Sequence, residues 1–166
     1  MLFSKKEKKE QKIEEVLLQN YDRYYRLAYS YVKNDADAAD IVQNGAYRAI
    51  RSSKTLKEEQ YASTWVYRIM LNEIFRYVGQ NRTISTEEIE WEMGVEDTYE
   101  NLDLRRALDA MNQEDKAVIE LKYFEDMRFE EIAEVLGENV NTVKSRLYRG
   151  LKKLRLELSD TWQWEA

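Results

Sequence analysis

No proline interrupts this chain, and only five of its 166 residues are glycine. Proline breaks or kinks a helix by removing a hydrogen-bond donor and clashing with the preceding turn; glycine costs a helix interior about 1 kcal/mol relative to alanine. A sequence nearly free of both suits long helices, and its apolar residues recur with the helical period. Ile13, Val16, Leu17, Tyr24, Leu27, Ala28 and Tyr31 follow three- and four-residue steps and predict a helix over 13–32. Asn34 and Asp35 offer a turn and a cap for a second helix over about 36–51. Trp65, Val66, Ile69, Met70, Ile74 and Val78 predict a third over 62–78. Three such helices form a bundle around one core, so the expected fold is all-α.

Charge divides the chain. The net charge is −6, yet residues 1–82 carry 15 Lys and Arg against 11 acids, while residues 83–103 carry eight acids and no base. A segment this acidic gains little by collapsing. It reads as a flexible acidic linker between an N-terminal module over 13–82 and a C-terminal one over 104–160, with a short helix possible only near 87–92. A charged extension (1–12) and a tail (161–166) holding Trp162 and Trp164 lie outside the two modules. The linker has two readings: a solvated tether, or an acidic shield over basic DNA-binding surfaces.

The C-terminal module reads as four helices. Leu104, Leu108 and Met111 share one face. Asn112 is placed to cap the next helix, with Asp115 three residues on as a capping box, and that helix carries Ala117, Val118, Leu121 and Phe124. A helix pair follows over 129–158. Ile132 and Leu136 face inward, Gly137 supplies a left-handed turn, and Asn141 or Thr142 is expected to cap the last helix. Val143, Leu147, Leu151, Leu154 and Leu158 form its buried stripe. Ala133, Gly137 and Val143 stand where a DNA-binding helix-turn-helix needs a small residue at the crossing, a turn, and an apolar side chain beneath it. Between 140 and 156 lie Lys144, Arg146, Arg149, Lys152, Lys153 and Arg155, with no acid. A basic helix in an acidic chain calls for an anionic partner. Asn141, Lys144, Ser145 and Arg149 are candidate base readers; Arg146, Lys152 and Lys153 are candidate phosphate contacts.

Absent residue types narrow the chemistry. With no cysteine there are no disulfides, thiolate nucleophiles or zinc fingers, and with no histidine the commonest general base and metal ligand are missing. We therefore expect no catalytic residues, metal or cofactor. No run approaches the ~18 apolar residues of a membrane span, and the charged start, MLFSKKEKKEQK, is unlike a secretory signal. The simplest location is the cytoplasm.

Three motifs together resemble the bacterial sigma-70 family, extracytoplasmic-function type. Asp37-Ala38-Ala39-Asp40-Ile41-Val42-Gln43 is similar to the segment that docks on the β′ clamp helices of RNA polymerase. Trp65-Val66-Tyr67-Arg68-Ile69-Met70-Leu71-Asn72 resembles the helix that opens and reads the −10 promoter element. Glu131-Ile132-Ala133 through Asn141-Thr142-Val143-Lys144-Ser145-Arg146-Leu147, with Arg149, resembles the −35 recognition helix. The resemblance implies a sigma factor that directs polymerase core to promoters in a stress or envelope-signal response. Its partners would be the polymerase core (β′ clamp helices and β subunit), promoter DNA and an anti-sigma factor, with no small-molecule substrate. Asp37, Asp40, Ile41 and Gln43 would bind core. Tyr67, Arg68, Asn72 and Arg76 would meet −10 DNA, and Asn141, Thr142, Lys144, Ser145, Arg146, Arg149 and Lys152 would meet −35 DNA. Trp65 is expected in the core instead.

The chain departs from the family pattern at Asn44-Gly45-Ala46-Tyr47, where an acid and a large apolar residue usually follow Gln43. Gly45 there is expected to loosen the helix or alter docking. The usual basic end of the −10 helix is thin, with Arg76, Gly79 and Arg82, and Asn112 replaces a usual proline. Two other readings compete: a two-domain helix-turn-helix regulator acting without polymerase, and a carboxylate enzyme using the acids of 87–103.

Overall fold

The computed structural model describes residues 5–80 and 99–161, with side chains described over 7–80 and 103–158. Every regular element among them is helical. They fall into two compact units. The first holds α1 (Lys5–Val32), α2 (Asp35–Arg51) and α3 (Ala62–Gln80), with single 3₁₀ turns at Ser53–Thr55 and Glu59–Tyr61. The second holds α4 (Tyr99–Asp109), α5 (Gln113–Ile119), a π-turn (Glu120–Phe124), α6 (Phe129–Leu136) and α7 (Val140–Thr161). The expected short helix at 87–92 and the Trp162-Gln163-Trp164 tail lie outside the described residues.

In the first unit α1 begins at Lys5, eight residues before its apolar stripe. Lys, Glu and Gln are strong helix formers, so the charged start extends the helix by about two turns, with a Lys12–Glu15 pair at 3.9 Å. Asn34 caps α2 as expected, its Oδ1 accepting from the Asp37 N–H at 3.0 Å. Ile13, Val16, Tyr24, Leu27 and Ala28 of α1 pack against Ala38, Ile41 and Val42 of α2 and Val66, Tyr67, Met70, Leu71 and Ile74 of α3. Each fully buried aliphatic side chain contributes about 1.5–3 kcal/mol. Tyr24 and Tyr67 meet edge to face, with ring centroids 4.9 Å apart.

Gly45 does not loosen α2, which runs unbroken to Arg51. Its lack of a side chain serves packing: a Cβ there would overlap Met70 Sδ on α3. Gly150 does the same in the second unit, where a Cβ would lie 2.7 Å from Met111 Cε and 2.8 Å from Ile119 Cδ1. These two glycines let α2 approach α3, and α7 approach α5 and the turn before it.

In the second unit Asn112 caps α5 by accepting from the Asp115 N–H at 2.8 Å. The reciprocal half of the expected capping box is replaced, because the Asp115 carboxylate turns to other partners. Phe124, which the sequence groups with Ala117, Val118 and Leu121, is exposed. The π-turn closes with a Glu125 N–H to Glu120 carbonyl bond at 3.0 Å, and this wider turn rotates Phe124 off the stripe of Ala117, Val118 and Leu121. Gly137 takes the left-handed turn at φ 67°, and Ala133 and Val143 are buried at the crossing. The cap of α7 is Asn139, not Asn141 or Thr142: its Oδ1 accepts from the Thr142 N–H at 2.8 Å. Val143, Leu147 and Leu154 are buried, while Leu151 and Leu158 are half-buried.

Candidate nucleic-acid interface

The outer face of α7 is set by its buried one. With Val143, Leu147, Gly150 and Leu154 inward, helical spacing turns Asn141, Lys144, Ser145, Tyr148, Arg149, Lys152 and Lys153 outward, and all are exposed. Thr142 is half-buried at the first turn. Lys144 Nζ lies 5.5 Å from the Phe129 ring centroid, a cation–π distance that ties the reading face to α6. Tyr148, 63% exposed, is one helical turn from both Lys144 and Lys152. A lone aromatic in a basic run carries no charge signal, so nothing in the sequence singles out Tyr148.

Two of the expected DNA contacts are also engaged within the protein. Arg149 grips Asp115 with both teeth of its fork, Nε to Oδ2 at 2.9 Å and Nη2 to Oδ1 at 2.8 Å. Arg146 grips Glu138 the same way, at 3.1 and 3.0 Å, and reaches Asp115 at 3.5 Å. Asp115 is 4% exposed. Burial alone would raise its carboxyl pKa, but the Arg149 hydrogen bonds and charge, with Arg146 behind them, hold it below the ordinary aspartate value. The Glu138 and Asp115 carboxylates in turn push the two guanidinium groups further up, so both stay charged.

The first unit carries two candidate faces. On α2, Asp40 and Gln43 are exposed and Asp37 is half-buried. Asp37 hydrogen-bonds the Tyr77 phenol, whose pKa burial and that carboxylate push up to about 12. Ile41 is different from the expectation: at 3% exposure it is a core side chain, because its place in the stripe with Ala38 and Val42 turns it toward the bundle. On α3, Arg68, Asn72 and Arg76 are exposed at four-residue intervals and share one face. Tyr67 does not join them. It is 2% exposed and packed on Tyr24, so it belongs to the core rather than to the −10 contact. Trp65, expected in the core, is only half-buried. The buried stripe of α3 runs through Val66, Tyr67, Met70, Leu71 and Ile74, so Tyr67 turns into the core and Trp65 lies at its edge.

Glu73, which the sequence reading missed, is buried between the two helices. Its Oε1 takes Arg48 Nε at 2.5 Å and Arg76 Nη1 at 3.8 Å. The available signal was an acid beside Ile74, three residues before Arg76. A cleft of about 680 Å³ opens beside it between α2 and α3, lined by Asn44, Tyr47, Arg51, Arg76 and Tyr77 among others. Among the described residues no group of three acids could hold a metal ion, and no helix is long and apolar enough to cross a membrane.

Residues 16–84 match sigma-70 region 2, and residues 101–154 match sigma-70 region 4. The RNA polymerase sigma factor SigV of Bacillus subtilis (strain 168) is 43% identical over 140 residues, 82% of this chain and 84% of that protein. The chain belongs to the sigma-70 family. It is a sigma factor of the extracytoplasmic-function type, and it directs RNA polymerase to promoters to initiate transcription. The ECF sigma factor SigE of Mycolicibacterium smegmatis is 32% identical over 154 residues, 86% of this sigma factor and 60% of that longer protein. Among solved structures, the sigma factor RpoE in complex with the anti-sigma factor NepR from Bartonella quintana has a TM-score of 0.70 at 20% identity, over 88% of this chain and 96% of that one. CnrH in complex with the cytosolic domain of CnrY gives 0.70 at 21%, over 89% and 88%. At those identities the likeness speaks for the fold of the sigma factor.

Proposed function

We propose that the two units divide one promoter contact. α7 lies in the major groove of the −35 duplex, with Asn141, Lys144, Ser145 and Arg149 toward the bases and Arg146, Lys152 and Lys153 toward phosphates. α3 meets the −10 strand through Arg68, Asn72 and Arg76. Asp37, Asp40 and Gln43 on α2 dock on the polymerase clamp helices. The observation that carries this reading is the sorting of α7: an apolar face buried in the unit, and an opposite face of exposed bases, amides and hydroxyls with no acid between Val140 and Leu156.

Polymerase performs the phosphoryl transfer, so the protein itself needs no catalytic group. It acts in the cytoplasm, where polymerase and promoters are. An anti-sigma factor holds it inactive; the reading draws on two structures of similar fold that contain, by their titles, a sigma factor with an anti-sigma factor and CnrH with a CnrY domain. The experiment is a pair of charge changes in the full chain. Asp40→Arg abolishes assembly with core polymerase, read by co-elution, and leaves the −35 unit folded. Arg149→Ala leaves assembly intact and weakens holoenzyme binding to a −35 duplex about tenfold. Loss of core assembly by Arg149→Ala, or full assembly by Asp40→Arg, contradicts the division.

A further inference from the structure

We infer that Asp115 is a positioning residue for promoter recognition: it presets the Arg149 guanidinium so that its outer edge is presented to the −35 duplex in one orientation. The inference rests on the proposed role of Arg149 as a −35 reader.

The geometry is that of a held fork. Asp115 bonds Arg149 through Nε and Nη2. A guanidinium has five N–H donors. The two Nη1 donors and one on Nη2 remain, and the side chain is 59% exposed, so they face outward. That outer edge is the pair-forming edge that a guanine O6/N7 or two phosphate oxygens require. A long arginine otherwise loses much rotamer freedom on binding; one already fixed in its plane loses less.

Asp115 is itself fixed on every side. Its backbone N–H binds the Asn112 cap at 2.8 Å, and the Asn112 amide reaches its Oδ2 at 3.3 Å. Arg146 approaches Oδ1 at 3.5 Å and is anchored by Glu138 at the helix-turn-helix turn. One buried carboxylate therefore joins the start of α5, the turn before α7 and the reading face of α7. Stability alone does not call for the Arg149 arm, because an ion pair with one partner this exposed adds little. The half-buried Arg146 is the arm that serves as a clamp.

The test uses the full chain assembled with core polymerase and a promoter library randomised through the −35 element, from which bound DNA is sequenced. Wild type discriminates at the base pairs α7 reads. Arg149→Ala lowers discrimination about tenfold at one or two of them, and Asp115→Asn lowers it about fivefold at the same ones, with other positions unchanged. The double variant discriminates no worse than Arg149→Ala alone. Arg149→Lys keeps the charge without the fork; it retains overall affinity within about threefold and loses the same discrimination, which tests the idea even if Asp115→Asn misfolds. An even loss across all positions for Asp115→Asn, or an added loss on the Arg149→Ala background, overturns the positioning role. So does wild-type discrimination by Arg149→Lys. If Arg149→Ala itself discriminates like wild type, the reading of Arg149 falls and the inference falls with it. If Arg149→Ala loses discrimination while Asp115→Asn does not, the inference alone falls.

Discussion

Each unit of this sigma factor sets two arginines on one buried acid, and the two arrangements differ in kind. Glu73 sits on the same helix as Arg76, borrows Arg48 from α2, and serves both from a single oxygen at 2.5 and 3.8 Å. Asp115 comes from a different helix than its arginines and uses both oxygens, one for each tooth of the Arg149 fork. The first arrangement leaves Arg76 loosely held beside an open cleft. The second fixes Arg149 in plane and orientation. Single-stranded promoter DNA is flexible and is met by adaptable polar and stacking contacts, whereas a duplex offers base edges at fixed positions. The looser acid lies in the unit proposed to meet the −10 strand, and the rigid one in the unit proposed to meet the −35 duplex.

The widest separation between the two should appear in stability. Asp115→Ala removes a buried carboxylate that accepts charge-assisted hydrogen bonds from Arg149 and a further contact from Arg146, which keeps Glu138, and is expected to destabilise the second unit by about 2 kcal/mol in denaturant unfolding. Glu73→Ala releases arginines that are about half exposed (49% and 50%) and can turn to water, so the expected loss is about 1 kcal/mol. Equal losses would erase the distinction drawn between a rigid and an adaptable acid.

A smaller contrast comes from the two packing glycines. Gly150→Ala forces a Cβ against Met111 and the branched Ile119, and should cost about 1–3 kcal/mol. Gly45→Ala meets only the flexible thioether of Met70, and the better helix propensity of alanine offsets about 1 kcal/mol of any strain. Its net effect is expected near zero in thermal unfolding. A large loss at Gly45 would show that α2 and α3 are as tightly matched as α7 and α5.

How much of this was legible in the sequence depends on the range of the interaction. Asn34, Asn112 and Gly137 were readable because a cap or a turn is decided within a few residues. The cap of α7 was misplaced by two or three residues because Asn139, Asn141 and Thr142 all have capping side chains; the short turn after Gly137 selects Asn139. Tyr67 and Ile41 were assigned to partners although both are core, since a family motif marks a helix and not which side of it faces in. The misplacement of Trp65 and Tyr67 has the same origin: two residues apart, they lie about 200° from one another around the helix, and packing on Tyr24 decides which one turns inward. The Asp115–Arg149 fork spans 34 residues and joins two helices, so no local pattern announces it. The π-turn that exposes Phe124 likewise breaks the 3.6-residue period on which the reading depended.

The central claim is that the two units act together as a promoter-specificity factor on polymerase core. It is tested most directly by run-off transcription from double-stranded promoter fragments, with core polymerase and the full chain and no inhibitor present. The account predicts that core alone gives no specific transcript, that adding the chain gives a discrete one, and that altering either promoter element suppresses it. A chain that binds the −35 duplex tightly without polymerase, and directs no initiation when core is supplied, would contradict it.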